Sequence, residues 1–164
     1  ADISLKDVAD VFEIRGALEA LAASLAAERA SDEEIEEMER LLVEIGKAVE
    51  ERNVERMIEL DTRFHDHLYR SSRNERLGQI LSTLREQIQR FRTQTLSNPA
   101  RMRVALDEHR ALVEALAARD AEAAARAAAQ HIESAENSLM QLNYEERQAR
   151  AASSKGDKER NDPT

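Results

Sequence analysis

With 164 residues, 41% of them apolar, the chain is sized for one domain built on a single core. Four glycines and two prolines among abundant alanine, leucine, glutamate and arginine argue against a sheet protein, and the absence of cysteine excludes disulfides and thiolate metal sites. A formal net charge of −9 with scattered Lys and Arg excludes a phosphate-binding stripe, so the chain itself is not expected to bind DNA.

Apolar residues at helical spacing, Leu5, Val8, Val11, Leu18, Ala22 and Leu25, predict a first long helix ending near Ala30. Ser31 with Glu34 forms a capping box for a second helix, whose buried face is Ile35, Met38, Leu42, Ile45 and Val49 and which ends near Arg52. Asn53 caps a third helix carrying Met57, Leu60, Phe64 and Leu68, and Ser71 to Asn74 break it. A fourth helix follows through Leu77, Leu81, Leu84, Ile88 and Phe91. Asn98 before Pro99 opens a fifth, with Leu106, Val113 and Leu116, and Asp120 caps the last. From Glu145 the apolar residues vanish, and the charged, polar tail ASSKGDKERNDPT predicts disorder. The expected fold is all-α, an antiparallel bundle of six helices around an internal metal or ligand cavity. Residues 1–142 form the domain, and 143–164 the end of the last helix and a disordered tail. No run of 18 apolar residues and no signal-peptide pattern occurs, which makes the cytoplasm the expected location.

Three of the four histidines stand where a bundle helix ordinarily places leucine. His109 lies in the apolar stripe with Leu106, Leu112 and Val113, and His131 lies on a face of small residues with Ala124, Ala127, Ala128 and Ala135. His65 follows Asp61 by one turn, so carboxylate and imidazole share a face. His67 is turned about 200° away from His65 and stays outside the group. Burying three imidazoles and a carboxylate without partners costs several kcal/mol, which a divalent cation offsets at once. One oxygen and three nitrogens suit Zn²⁺, Ni²⁺, Mn²⁺ or Fe²⁺ without choosing among them, and zinc is the first expectation. The plainer reading makes each histidine a separate core residue bonded to a carbonyl or carboxylate, and spacing alone leaves both readings open.

Arg15 shares a stripe with Val11, Leu18 and Ala22, where a guanidinium needs either a ligand carboxylate or an intrahelical pair with Glu19. Arg85 and Arg92 flank the fourth helix's apolar stripe and offer the same service, although a solvated helix face accounts for them more simply.

The segments FEIRGALEALAASLAAERA, LDTRFHDHLYRSSRNERL and DEHRALVEALAARDAEAA resemble the FadR-type C-terminal domain of GntR transcription regulators, over about Leu5 to Leu142. The resemblance implies a divalent metal held by Asp61, His65, His109 and His131, with a small organic acid effector in the same cavity and Arg15 near it. It further implies a homodimer, no enzymatic activity, and DNA binding only through an amino-terminal winged helix-turn-helix. The chain opens almost at the first sensor helix, so that DNA-binding segment is expected to be missing from it. Six helices resemble the shorter, VanR-like branch.

An enzyme reading competes. His65 with Asp66 forms the His-Asp dipeptide of helical metal-dependent phosphohydrolases, in which Asp66 rather than Asp61 is the ligand.

Overall fold

The computed structural model describes residues 3–160, and side chains as far as residue 154. Seven helices form in chain order: α1 Leu5–Arg29, α2 Asp32–Glu50, α3 Val54–Ser71, α4 Glu75–Gln87, α5 Gln89–Leu96, α6 Pro99–Ala117 and α7 Ala121–Arg160. No strand occurs among the described residues.

Local chemistry sets the boundaries. Ser4 and Ser31 close capping boxes with Asp7 and Glu34, and the side chains of Asn53, Asn74 and Asn98 cap α3, α4 and α6. Asp120 Oδ1 accepts from the Ala123 amide at the start of α7. Three corners reverse through an arginine in the left-handed region immediately before a cap residue: Arg52 (φ 52°), Arg73 (φ 56°) and Arg119 (φ 57°). Two of these side chains also join corners. Arg73 makes a two-pronged pair with Glu34 at 2.7 and 3.0 Å, and Arg119 donates to the Ala30 carbonyl and to Asp32.

Two expectations change. The predicted fourth helix is two helices, because the backbone leaves helical geometry at Ile88 (φ −110°, ψ 12°). Ile88 is fully buried there, with Val8, Val11, Phe12, Ile132 and Leu139, and burying it at the bend offsets the lost helical bonds. No glycine or proline marks the break, so propensity could not reveal it. With seven helices, helix count no longer argues for the VanR-like branch. The last helix also runs beyond the expected change near Glu145 as far as Arg160, its side chains exposed from Glu145 to Ser154. An alanine- and glutamate-rich stretch extends an existing helix without a new nucleation cost. Residues 161–164 of the expected disordered tail lie outside the described residues.

Helix α7 packs along α1 and α6, while α2 packs on α3 and α6. The larger core cluster includes Met38, Leu41, Ile45, Met57, Leu60, Phe64, Leu68, Leu81, Met102 and Leu116, and the smaller one surrounds Ile88. Polar side chains from α3, α6 and α7 converge in this interior.

Candidate metal centre

Helix α3 supplies Asp61 and His65, α6 supplies His109 and α7 supplies His131, all buried. One ligand atom from each lies within 4.8 Å of the others. Asp61 Oδ1 is 3.5 Å from His65 Nε2 and 3.3 Å from His109 Nε2. The ring centroids stand 5.4 Å apart for His65 and His109, 5.6 Å for His65 and His131, and 4.7 Å for His109 and His131. His67 is not in the group, as its angular position predicts.

The plainer reading of separately bonded core histidines fails for two of the three. Both ring nitrogens of His65 and of His109 are buried without a hydrogen-bond partner. Nε2 of each ring faces Asp61 Oδ1, and these two orphaned atoms beside one carboxylate oxygen form an arrangement that a divalent cation satisfies and that hydrogen bonds within the protein do not. Electrostatics agree. Burial, reinforced by neighbouring His131, holds His109 well below the ordinary histidine value, so its ring is neutral. Burial opposes ionisation of Asp61, but its neighbours, the Arg92 guanidinium foremost, together outweigh it and hold the carboxyl well below the usual range. Neutral imidazole beside ionised carboxylate is the protonation state a metal requires.

All three arginines singled out in the sequence are buried. Arg15 takes the intrahelical option, donating from Nε to Glu19 Oε1 at 3.1 Å. The solvated face expected for Arg85 and Arg92 is absent, because both guanidinium groups lie buried beside Asp61 of α3. Arg92 donates to Asp61 Oδ2, and Arg85 Nη2 is 3.9 Å from the same oxygen. Arg85 Nε and Nη2 have no hydrogen-bond partner, which is costly for a buried guanidinium. Its Nη1 lies 3.6 Å from Asp66, and its guanidinium carbon 5.9 Å from the Tyr69 ring centroid. Asp66 and Tyr69 also line a cleft of about 580 Å³ between α3 and α4. Asp66 is half exposed and outside the ligand group, contrary to what the phosphohydrolase reading requires.

Sequence reasoning missed a ring of outer partners. Glu19 accepts from the Tyr69 hydroxyl and places Oε2 3.7 Å from His65 Nδ1. Burial pushes Glu19 up, but its neighbours His65, Arg15 and Tyr69 together hold it far below the usual range. Glu108 Oε1 is 2.9 Å from His131 Nδ1 and 2.8 Å from Arg101 Nη1. The Tyr69 position was legible, one turn from His65. The bond between Glu108 and His131 links two helices and leaves no periodic signal.

A family model described as the FCD domain matches residues 10–134. The chain belongs to the FCD domain family. This FCD domain is 31% identical over 123 residues to the HTH-type transcriptional regulator YdhC of Bacillus subtilis (strain 168), covering 74% of the chain and 55% of YdhC. It is 26% identical over 143 residues to the HTH-type transcriptional repressor RspR of Escherichia coli (strain K12), covering 87% of the chain and 63% of RspR. The chain thus spans between about half and two thirds of the length of these relatives. Among solved structures, E. coli McbR/YncC superposes with a TM-score of 0.79 at 23% identity, over 85% of this chain and 71% of that one. Streptococcus agalactiae GntR superposes with a TM-score of 0.68 at 28% identity, over 83% and 62%. Both curated relatives are named as HTH-type transcriptional regulators. No helix among the described residues is long and apolar enough to cross a membrane.

Proposed function

We propose that this FCD domain senses a small carboxylate at a divalent cation held by Asp61, His65, His109 and His131. The observation that carries the reading is the buried cluster of these four side chains, in which the unpartnered Nε2 atoms of His65 and His109 face one oxygen of Asp61. When bound, the cation supplies a positive charge to which an effector carboxylate coordinates. The chain's own residues do the rest. Neutral rings on α6 and α7 present nitrogen lone pairs, and Arg92 keeps Asp61 ionised. Arg85, with two unpartnered buried donors and with Asp61, Asp66 and Tyr69 as neighbours, receives the carboxylate of the effector. Arg15 acts one step further out, through Glu19 and Tyr69.

In the full-length regulator the domain works as half of a homodimer. Half-exposed Ile14 and Ile80, on the mutually packed helices α1 and α4, support that pairing. Effector binding then sets the DNA affinity of a helix-turn-helix segment. The test is metal analysis of protein purified without chelator, followed by calorimetry of small carboxylates against metal-free and metal-loaded samples. Equal affinity for the two samples would end the linked mechanism.

A further inference from the structure

His131 differs from the other two histidines of the centre in having a ring nitrogen already engaged. Its Nδ1 lies 2.9 Å from Glu108 Oε1, whereas His65 and His109 have no hydrogen-bond partner on either nitrogen. Glu108 itself is held. Arg101 Nη1, on the first turn of α6, is 2.8 Å from the same Oε1 and 3.0 Å from Ser134 Oγ, one turn beyond His131 on α7. Arg101 is buried, and the pair spans the α6–α7 interface that brings His109 and His131 together.

An ionised carboxylate only accepts, so the short contact requires a hydrogen on His131 Nδ1. Neutral imidazole then carries its lone pair on Nε2, the nitrogen remote from Glu108. Arg101 prevents the carboxylate from swinging away.

We propose that Glu108, anchored by Arg101 and Ser134, is a positioning residue that fixes His131 as the Nδ1–H tautomer and turns Nε2 toward the ligand cluster. The inference rests on the metal reading only for its consequence, since the tautomer is a property of the metal-free chain. A carboxylate behind a ligating histidine orients the ring and raises its basicity, and losing such a partner typically weakens metal binding about 10- to 100-fold.

The test uses protein labelled with ¹⁵N at histidine and stripped of metal, with the ring tautomers read from long-range ¹H–¹⁵N correlations. Wild type should show His131 with its hydrogen on Nδ1. Glu108→Ala should lose that pattern and bind Zn²⁺ about 10- to 100-fold more weakly in a chelator competition. Glu108→Gln should restore both in large part, because Arg101 holds the amide oxygen where it still accepts from Nδ1. This variant keeps the side chain's volume and decides the matter if Glu108→Ala does not fold. A wild-type His131 protonated on Nε2 overturns the proposal, as does Glu108→Ala that folds and binds Zn²⁺ with wild-type affinity. Wild-type protein that shows the Nδ1–H tautomer yet takes up no Zn²⁺ would overturn the metal reading and leave the tautomer assignment standing.

Discussion

Arg92 donates from Nη2 to Oδ2 of Asp61, while Oδ1 of that carboxylate faces the ring nitrogens of His65 and His109. One residue thus joins a cationic side to a ligand side. Removing one partner of a buried ion pair costs about 3–5 kcal/mol. Arg92→Met should lose stability on that scale in metal-free protein and distinctly less in saturating Zn²⁺, because the cation offers Asp61 another positive partner. Thermal unfolding with and without Zn²⁺ measures both, and an equal loss would detach Arg92 from the centre.

Metal removal should lower stability, since a cation that binds only the folded chain adds about 2.7 kcal/mol at 100 times its Kd. For a domain of this size the shift is about 5–10 °C in Tm. His109→Ala should abolish the Zn²⁺-dependent increment in a thermal scan, whereas His67→Ala and Asp66→Ala should retain it. Undiminished Zn²⁺ stabilisation of His109→Ala would remove that residue from the ligand set.

Arg85→Gln separates effector from metal. Hydrogen bonds to charged groups are worth about 1.5–3 kcal/mol, so carboxylate affinity should fall about 10- to 100-fold. The Zn²⁺ affinity of the same variant should change little, because Arg85 touches no ring nitrogen of the centre. Calorimetry on Zn²⁺-loaded protein with a panel of small mono- and dicarboxylates reads the first quantity, and unchanged carboxylate binding would exclude Arg85 from the effector site.

At the start of α2 the hydrogen bond from Arg73, offset in part by burial, lowers the carboxyl of Glu34 below its ordinary value. A depressed carboxyl contributes stability that is present above the unfolded pKa and lost as pH falls through the folded one. Glu34→Gln should therefore be less stable than wild type near neutral pH, with the difference closing in the acid range below the ordinary carboxylate value. Ser31→Ala, which removes the other half of the capping box, should cost about 1 kcal/mol at either pH. Urea unfolding at two pH values distinguishes them.

The left-handed corners predict opposite outcomes for one substitution. Arg52 has φ 52° and, among the described residues, no hydrogen bond or ion pair from its guanidinium, so Arg52→Gly should be neutral or stabilising by up to about 1 kcal/mol. Arg119 shares the conformation but holds the Ala30 carbonyl and Asp32, so Arg119→Gly should be destabilising. Denaturant midpoints of the two variants should move apart, and movement in the same direction would discount the side-chain anchor.

Helical class, most boundaries and the identity of the four clustered residues were legible along the chain, because helical periodicity and capping are local. Asp61 and His65 share a turn, and His109 and His131 interrupt otherwise apolar stripes, so the anomaly shows without coordinates. Whether three helices bring those side chains within 4.8 Å is a property of packing, which spacing cannot express. The same holds for the bend at Ile88, where burial overrides a continuous helical pattern, and for the burial of Arg85 and Arg92 beside Asp61. It holds also for Glu108 behind His131 and Glu19 behind His65, partners separated by 23 and 46 residues. Local sequence decides which groups a helix displays, and only the tertiary structure decides which of them lose water together and must answer one another's charge.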